Sequence, residues 1–161
     1  MSKQAEGKSP VVKPKRILNL SGCKLDVLPE KAAKNNNWKI MILDNNRLTT
    51  LPVEVHMRIM ILAHNKFGDN VPEGIVQALT QSVKLRDLDL SSNKLKNFPE
   101  ELNNNRDLEI VNLFDNKLSS INITSTMFHT VNLGHNLFPT VPNIPANVTT
   151  LGYSYNILEQ F

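Results

Sequence analysis

Apolar residues recur along this chain in the pattern L-x-x-L-x-L-x-x-N-x-L, in which an asparagine is followed two positions later by a further apolar residue. The clearest copy is LRDLDLSSNKL, which starts at Leu85 and carries Asn93. A second copy, LEIVNLFDNKL, starts at Leu108 and carries Asn116. Successive side chains of a strand point to opposite faces, so each L-x-L unit predicts a short strand with one buried face.

Seven copies of the pattern follow one another in register, and their starts are separated by 23, 19, 28, 23, 20 and 20 residues. One copy cannot bury its own apolar face, so neighbouring copies are expected to stack as turns of one structure. The asparagine amide both donates and accepts hydrogen bonds, which suits the point where the chain turns after each strand. In the first copy Cys23 takes the asparagine position. We expect a buried thiol there rather than a reactive nucleophile.

The segments between the predicted strands differ from copy to copy. Three copies carry a Leu-Pro or Phe-Pro pair after the strand, at residues 28–29, 51–52 and 98–99. The 28-residue copy instead has Ile75, Leu79 and Val83 at four-residue spacing behind a proline. This spacing predicts a helix on the side of the coil opposite the strands, with the proline near its first turn.

On these motifs the chain resembles the leucine-rich-repeat family over roughly residues 16–161. The resemblance implies an α/β solenoid, a right-handed curved superhelix of about seven repeats. Its parallel β-sheet would form the concave face, and its convex face would be irregular or short-helical. The repeats with proline pairs are similar to the leucine-proline type, and the 28-residue repeat to the ribonuclease-inhibitor and tropomodulin type. The final, proline-rich turns resemble the short type found in bacterial effectors.

Isoleucines interrupt the expected alternation of apolar and polar residues in the second and third copies. The third and fifth positions of the pattern should face the concave surface, and in these copies they are held by Ile40, Ile42, Ile59 and Ile61. With Ile17 of the first copy they predict an exposed apolar patch, a feature that marks interaction sites. Two alternatives are that isoleucine simply suits a strand, or that tail residues Val11 and Val12 cover the patch.

The remaining predicted partner-binding positions are polar or aromatic. Asp87 and Asp89 should form a negative rung beside the isoleucines, and aromatic side chains with flanking charge suit an interface hot spot. Asp115 and His135 fall on neighbouring rungs, so their side chains can approach each other. We expect the carboxylates to select a basic or polar complement. These further positions are Asp44, His64, Asp87, Asp89, Ile110, Phe114, Asp115, His135 and Tyr155.

The net charge of +3 is unevenly distributed. Residues 1–16 hold five basic side chains against one acidic, whereas the remaining 145 residues hold 13 basic and 14 acidic. We therefore divide the chain into a basic, disordered tail at 1–16 and a repeat domain at 17–161. Five dilute cations do not predict nucleic-acid binding. Contact of this tail with an anionic membrane is a weaker hypothesis.

Motifs for catalysis or cofactor binding are absent from the sequence. The chain contains no G-x-x-x-x-G-K-[ST], G-x-G-x-x-G, H-E-x-x-H or G-x-S-x-G. Asp115 and His135 supply only two ligands, which is too few for a metal site or a catalytic centre. We predict a non-catalytic chain with no cofactor. The lack of a long apolar stretch and of a secretory signal, together with a single cysteine, predicts a cytoplasmic protein.

The sequence therefore predicts a scaffold that binds another protein through its concave face. The resemblance implies broad partner classes: phosphatase catalytic subunits, small GTPases, kinases in signalling, and cytoskeletal proteins such as actin. An alternative is that the repeats form the regulatory front of a longer catalytic protein, such as a type 2C phosphatase. The final strand lacks a polar cap unless Phe161 folds over it, which predicts either a monomer or an edge-to-edge dimer.

Overall fold

The computed structural model describes residues 16–35, 37–52 and 56–157. Each repeat contributes one three-residue strand at the third to fifth positions of the pattern, in which the middle side chain points into the coil and its two neighbours point to the opposite face. The strands are β1 (Ile17–Asn19), β2 (Ile40–Ile42), β3 (Ile59–Ile61), β4 (Asp87–Asp89), β5 (Ile110–Asn112), β6 (Thr130–Asn132) and β7 (Thr150–Gly152).

All seven strands lie in one parallel sheet, in the order in which they occur along the chain. Ile17 pairs with Ile40, Ile40 with Ile59, and Ile59 with Asp87, so residues at the third position of the pattern form one row across the sheet. The fifth position forms a parallel row that runs from Asn19 to Gly152. The predicted solenoid and its register are confirmed. We call the solvent-facing side of this sheet the concave face.

The core lies behind the sheet. The middle residue of each inner strand is at most 2 % exposed, and these residues are Met41, Met60, Leu88, Val111 and Val131. Leu18 and Leu151, at the same position in β1 and β7, are only partly buried. The outer strands bury less of this residue because each has a neighbouring strand on one side only.

A ladder of buried asparagine side chains links the turns, as predicted. The Asn93 amide nitrogen donates hydrogen bonds to the carbonyls of Leu62, Leu90 and Ser91 at 2.9–3.1 Å. Its amide oxygen accepts a hydrogen bond from the Asn65 backbone N–H at 2.7 Å. Each amide therefore satisfies backbone groups of its own turn and of the preceding one.

Cys23 does not occupy the buried place that the pattern predicted for it. Its side chain is exposed, and its Sγ lies 3.6 Å from the Ser21 carbonyl oxygen. The prediction was wrong because β1 has β2 on one side and, among the described residues, no strand on the other. The pattern position alone does not bury a side chain unless a turn stacks on both sides.

Short helices connect the strands on the opposite side, and each begins directly after a proline. Proline lacks the backbone N–H that a first helical turn leaves unsatisfied, and its fixed φ suits a helix start. The prolines are Pro29, Pro72 and Pro99. The elements are α1 (Glu30–Ala33), α2 (Glu73–Gln81) and a 3₁₀-helix at Glu100–Asn104.

Helix α2 is the helix predicted for the longest repeat. Ile75, Ala78 and Leu79 are buried against the core. Val83 was predicted to belong to the same apolar stripe, but its side chain is 53 % exposed. That prediction was wrong because the helix ends at Gln81, and the extended backbone of Ser82 turns the next residue outward.

Two predictions fall on residues outside the described ranges. Residues 1–15 contain almost all of the predicted tail, including Val11 and Val12, and residues 158–161 contain Phe161. Among the residues that the structure describes, no helix is long and apolar enough to cross a membrane.

Candidate partner-binding face

The five predicted isoleucines lie side by side on β1, β2 and β3. We call Ile17, Ile40, Ile42, Ile59 and Ile61 the isoleucine cluster. Ile17 is 49 % exposed at the end of the sheet, whereas the other four are partly buried. They are covered in part by one another, because neighbouring strands lie about 4.8 Å apart. Ala63, two positions after Ile61, is buried at 7 % exposure.

The isoleucines at the fifth position replace a residue type that has a structural role in other turns. Asn19, Asp89, Asn112 and Asn132 each use a side-chain oxygen to accept a hydrogen bond from the backbone N–H two residues later, at 2.8–3.1 Å. Such bonds stabilise the turn after the strand. Ile42 and Ile61 have no side-chain acceptor, so their turns lack this bond. At these two positions the apolar side chain therefore replaces a hydrogen bond that stabilises the turn in four other repeats.

The predicted acidic rung lies on β4, next to the isoleucine cluster. Asp87 pairs with Ile59 on one side and with Ile110 on the other. Asp87 and Asp89 are both partly buried. The Asp89 carboxylate is held in place because it accepts a hydrogen bond from the Ser91 backbone N–H. Ile110 is 38 % exposed and continues the face toward the last turns.

Three rings stack along the last turns of the face, and we call Phe114, His135 and Tyr155 the aromatic ladder. The rings of Phe114 and His135 are stacked, with centroids 5.7 Å apart. The rings of His135 and Tyr155 meet edge to face at 6.4 Å. Phe114 is 39 % exposed and Tyr155 is 80 % exposed, so ring surface of the ladder faces solvent.

Asp115 is hydrogen-bonded to residues of the turns on both sides of it. The Ser92 hydroxyl donates to the carboxylate at 2.8 Å, and His135 Nδ1 lies 2.7 Å from Asp115 Oδ1. The pKa of Asp115 is lowered, and the hydrogen bond from Ser92 is the largest cause. Burial, the next largest effect, opposes the shift, while the hydrogen bond to His135 and the charges of His135 and His64 add to it. The predicted approach of Asp115 and His135 is confirmed.

The two other predicted polar positions, Asp44 and His64, lie at the ends of β2 and β3. The Asp44 carboxylate accepts hydrogen bonds from the Ser21 hydroxyl at 2.9 Å and from the Asn45 amide at 2.6 Å. His64 is exposed. Asp44, like Asp115, is therefore partly satisfied within the molecule, whereas the Asp87 carboxylate makes no hydrogen bond or ion pair within the described part of the chain.

All residues at the eighth position of the pattern have left-handed backbone conformations, which sequence reasoning missed. Their φ values lie between 54° and 66°. Glycine and asparagine favour this region, but most turns use other residue types, so residue type gave little signal. The residues are Gly22, Asn45, His64, Ser92, Asp115, His135 and Tyr155.

Two rows of cationic side chains border the face, and sequence reasoning missed both. The row at the amino ends of the strands, which we call the amino-edge row, is Arg16, Lys39, Arg58 and Arg86. In this row Arg86 forms an ion pair with Glu109, and this contact is the main reason that the pKa of Glu109 is lowered. The row beyond the carboxyl ends, the carboxyl-edge row, is Lys24, Arg47, Lys66, Lys94 and Lys117. Both rows are visible in the sequence, because their members occupy the second and tenth positions of the aligned repeats.

Side chains suited to metal binding do not converge in the described part of the chain. No group of three or more His, Cys, Asp or Glu side chains is placed there to hold a metal ion. Near the Asp115–His135 pair lies the hydroxyl of Ser92, but no third His, Cys, Asp or Glu side chain of the described residues completes a metal site there.

Comparisons with known proteins agree with the repeat architecture. Residues 84–105 match the family model described as Leucine Rich Repeat. The chain is also 32 % identical over 114 residues to Protein flightless-1 homolog of Caenorhabditis elegans. That match covers 67 % of this chain but only 9 % of the relative, so the chain matches a small part of the length of that relative. With the seven-stranded sheet, these matches show that the chain is a leucine-rich-repeat protein, a family of protein–protein interaction modules.

Proposed function

We propose that this protein is a scaffold that binds another protein through its concave face, with the isoleucine cluster as the main contact. The observation that carries the proposal is the presence of Ile42 and Ile61 where four other turns use a polar side chain to cap the strand. A neutral preference for isoleucine in strands does not account for giving up that hydrogen bond twice on adjacent strands.

The rest of the face supplies specificity in this proposal. Asp87 and Asp89 border the isoleucines and select a polar or basic group on the partner, since like charges would repel. The aromatic ladder adds rigid ring surface at the far end. A preformed solenoid loses little conformational entropy on binding, which favours affinity from a modest contact area.

The partner classes remain those that the family resemblance implies, including phosphatase catalytic subunits, small GTPases, kinases and cytoskeletal proteins. A cytoplasmic location and a role in signalling or the cytoskeleton belong to the same proposal. The arrangement in which the repeats regulate a catalytic domain in a longer chain, such as a type 2C phosphatase, stays a prediction.

The test is affinity capture from native cell lysate with mass spectrometry, using wild type beside Ile42→Asn/Ile61→Asn. Asparagine removes the apolar surface without adding charge and supplies the capping oxygen, which offsets part of the lost packing, so this variant should remain folded. We expect a protein retained by wild type to be reduced about tenfold or more with the variant, since two interface anchors are lost.

The matched control is Thr130→Asn/Thr150→Asn, which changes two residues of the third position on β6 and β7. Circular dichroism should show all three proteins folded. Equal retention by wild type and the isoleucine variant would contradict the proposal, and selective loss in the control would move the site to the aromatic end.

A further inference from the structure

A groove runs along the carboxyl edge of the sheet, over the first four turns. Its volume is about 470 Å³, and it is open to solvent along its length. Its lining includes Asn46 of the asparagine ladder and the eighth-position residues Asn45, His64 and Ser92, which follow the strands. The rest of the lining consists of four members of the carboxyl-edge row, and we call the whole the cationic groove. These members are Lys24, Arg47, Lys66 and Lys94.

The positive charge of this groove is largely uncompensated. Its lining contains no carboxylate. Arg47 is paired with Asp26, at 3.3 Å between Nε and Oδ1. Within the described ranges of the chain, the ammonium groups of Lys24, Lys66 and Lys94 make no ion pair. All three are exposed, so they are available to an anionic partner.

These lysines also occupy costly backbone conformations. Lys24, Lys66 and Lys94 have φ values of 56°, 58° and 66°, in the left-handed region. Asparagine or glycine would fit this region with less strain. Each of these positions therefore carries a lysine where asparagine would fit the backbone with less strain.

The charge of the whole chain is polarised in the same sense. Residues 16–70 hold eight cationic and five anionic side chains, whereas residues 71–161 hold six and nine. Residues 1–15 hold four cationic side chains against one anionic, so their charge argues against the chain's own tail as the occupant. A partner that approaches the first turns meets a positive field, which favours an acidic surface.

We infer that the cationic groove is a second docking site, which takes an acidic segment of a partner protein. Single-stranded nucleic acid is disfavoured because its binding sites supply several aromatic rings for base stacking, whereas the only ring in the lining of this groove is the imidazole of His64. A membrane is disfavoured because the lining offers no apolar side chain for insertion between lipids. This site goes beyond the proposed function and does not depend on the isoleucine cluster.

The test measures binding of a fluorescein-labelled decaglutamate peptide by anisotropy at low salt. The variant Lys66→Asn/Lys94→Asn removes two charges and suits the left-handed backbone. We expect it to bind the peptide about fivefold to tenfold more weakly than wild type, since each exposed charge pair contributes modestly. Raising the ionic strength should abolish most of the difference.

The matched control is Lys31→Gln/Arg106→Gln, which removes two exposed cations that do not line the groove. Equal weakening by both double variants would overturn the inference, because net charge alone would then explain binding. Tighter binding of an oligonucleotide of equal charge, or of phosphatidylserine vesicles, would also overturn it. Ile42→Asn/Ile61→Asn leaves the charge unchanged and should bind the peptide like wild type, so failure of one site is distinguishable from failure of the other.

Discussion

The acidic rung on β4 divides the concave face into two halves of different chemistry. On β1–β3 the outward side chains are mainly isoleucines, which pack beside one another across strands. On β5–β7 and their turns the outward groups are, apart from Ile110, mainly aromatic or polar, and contacts such as the hydrogen bond between Asp115 and His135 hold some of them. Both halves share one backbone register, so the difference resides in side chains alone.

This comparison separates two ways of presenting a surface. The isoleucine half offers apolar area whose affinity depends on burial against a partner. The aromatic half offers rings and charges whose orientation is set before binding, which suits selection among partners. The cationic rows border mainly the isoleucine half, so our two proposals together favour an acidic partner with apolar side chains at that end.

The largest expected effect tests whether the two halves fold as one unit. Asn93→Ala at the centre of the ladder removes three donated hydrogen bonds and leaves the buried Asn65 N–H without its acceptor. We expect it to lower the free energy of unfolding by about 2–4 kcal/mol. Urea denaturation followed by circular dichroism measures this loss.

The matched variant for this prediction is Asn97→Ala, whose amide bonds to the exposed Asn70 side chain. It should cost less than about 0.5 kcal/mol, as surface substitutions usually do. A biphasic unfolding curve for Asn93→Ala would show instead that the halves unfold separately.

A medium effect distinguishes how tightly the two halves are packed. Ile61→Ala removes a partly buried side chain between neighbours on both sides, and should cost about 1–2 kcal/mol. Phe114→Ala removes a ring that is 39 % exposed and stacked on His135, and should cost below about 1 kcal/mol. Parallel urea denaturation measures both, and a larger loss for Phe114→Ala would reverse the ranking.

The smallest effect concerns the charges of the aromatic half. In the folded protein the pKa of Asp115 lies below the ordinary aspartate value of 3.8. Its ionised form therefore stabilises the fold at higher pH. That contribution is lost as pH falls through the lowered pKa. The side chain is 43 % exposed, so solvent keeps the contribution below about 1 kcal/mol.

Asp115→Asn should therefore be less stable than wild type at about pH 6, and the gap should narrow below about pH 4. Asp87→Asn, which changes a carboxylate on the same face, controls for charge. A gap that stays constant across this range would show that the Asp115 carboxylate does not respond to pH in this way.

Much of the candidate site was predictable because its rows follow the repeat register. The alignment that places Ile40 beside Ile59, or Asp115 beside His135, needs only the asparagine of each copy as a reference. The cationic rows were equally readable from the aligned second and tenth positions. They were missed because these two positions lie outside the third, fifth, seventh and eighth positions, at which the predicted partner-binding residues lie.

Burial at the ends of the stack was not predictable in the same way. Cys23 holds a ladder position and is exposed, and Val83 continues a helical spacing and is exposed. In each case the pattern predicts which side of the element a residue takes, but burial requires a neighbour that covers it. That neighbour is a property of the assembled turns.

The sequence by itself determined the strands, their order and their register, because an alternating strand that buries one face must stack in phase with identical neighbours. The tertiary structure alone decided which charges are satisfied internally and which face solvent. Arg86 is paired with Glu109, whereas Lys66 and Lys94, on a neighbouring pair of turns, line an open groove. The reason is physical: residues about 20 positions apart meet only when turns stack, and electrostatic pairing depends on distances of a few ångström.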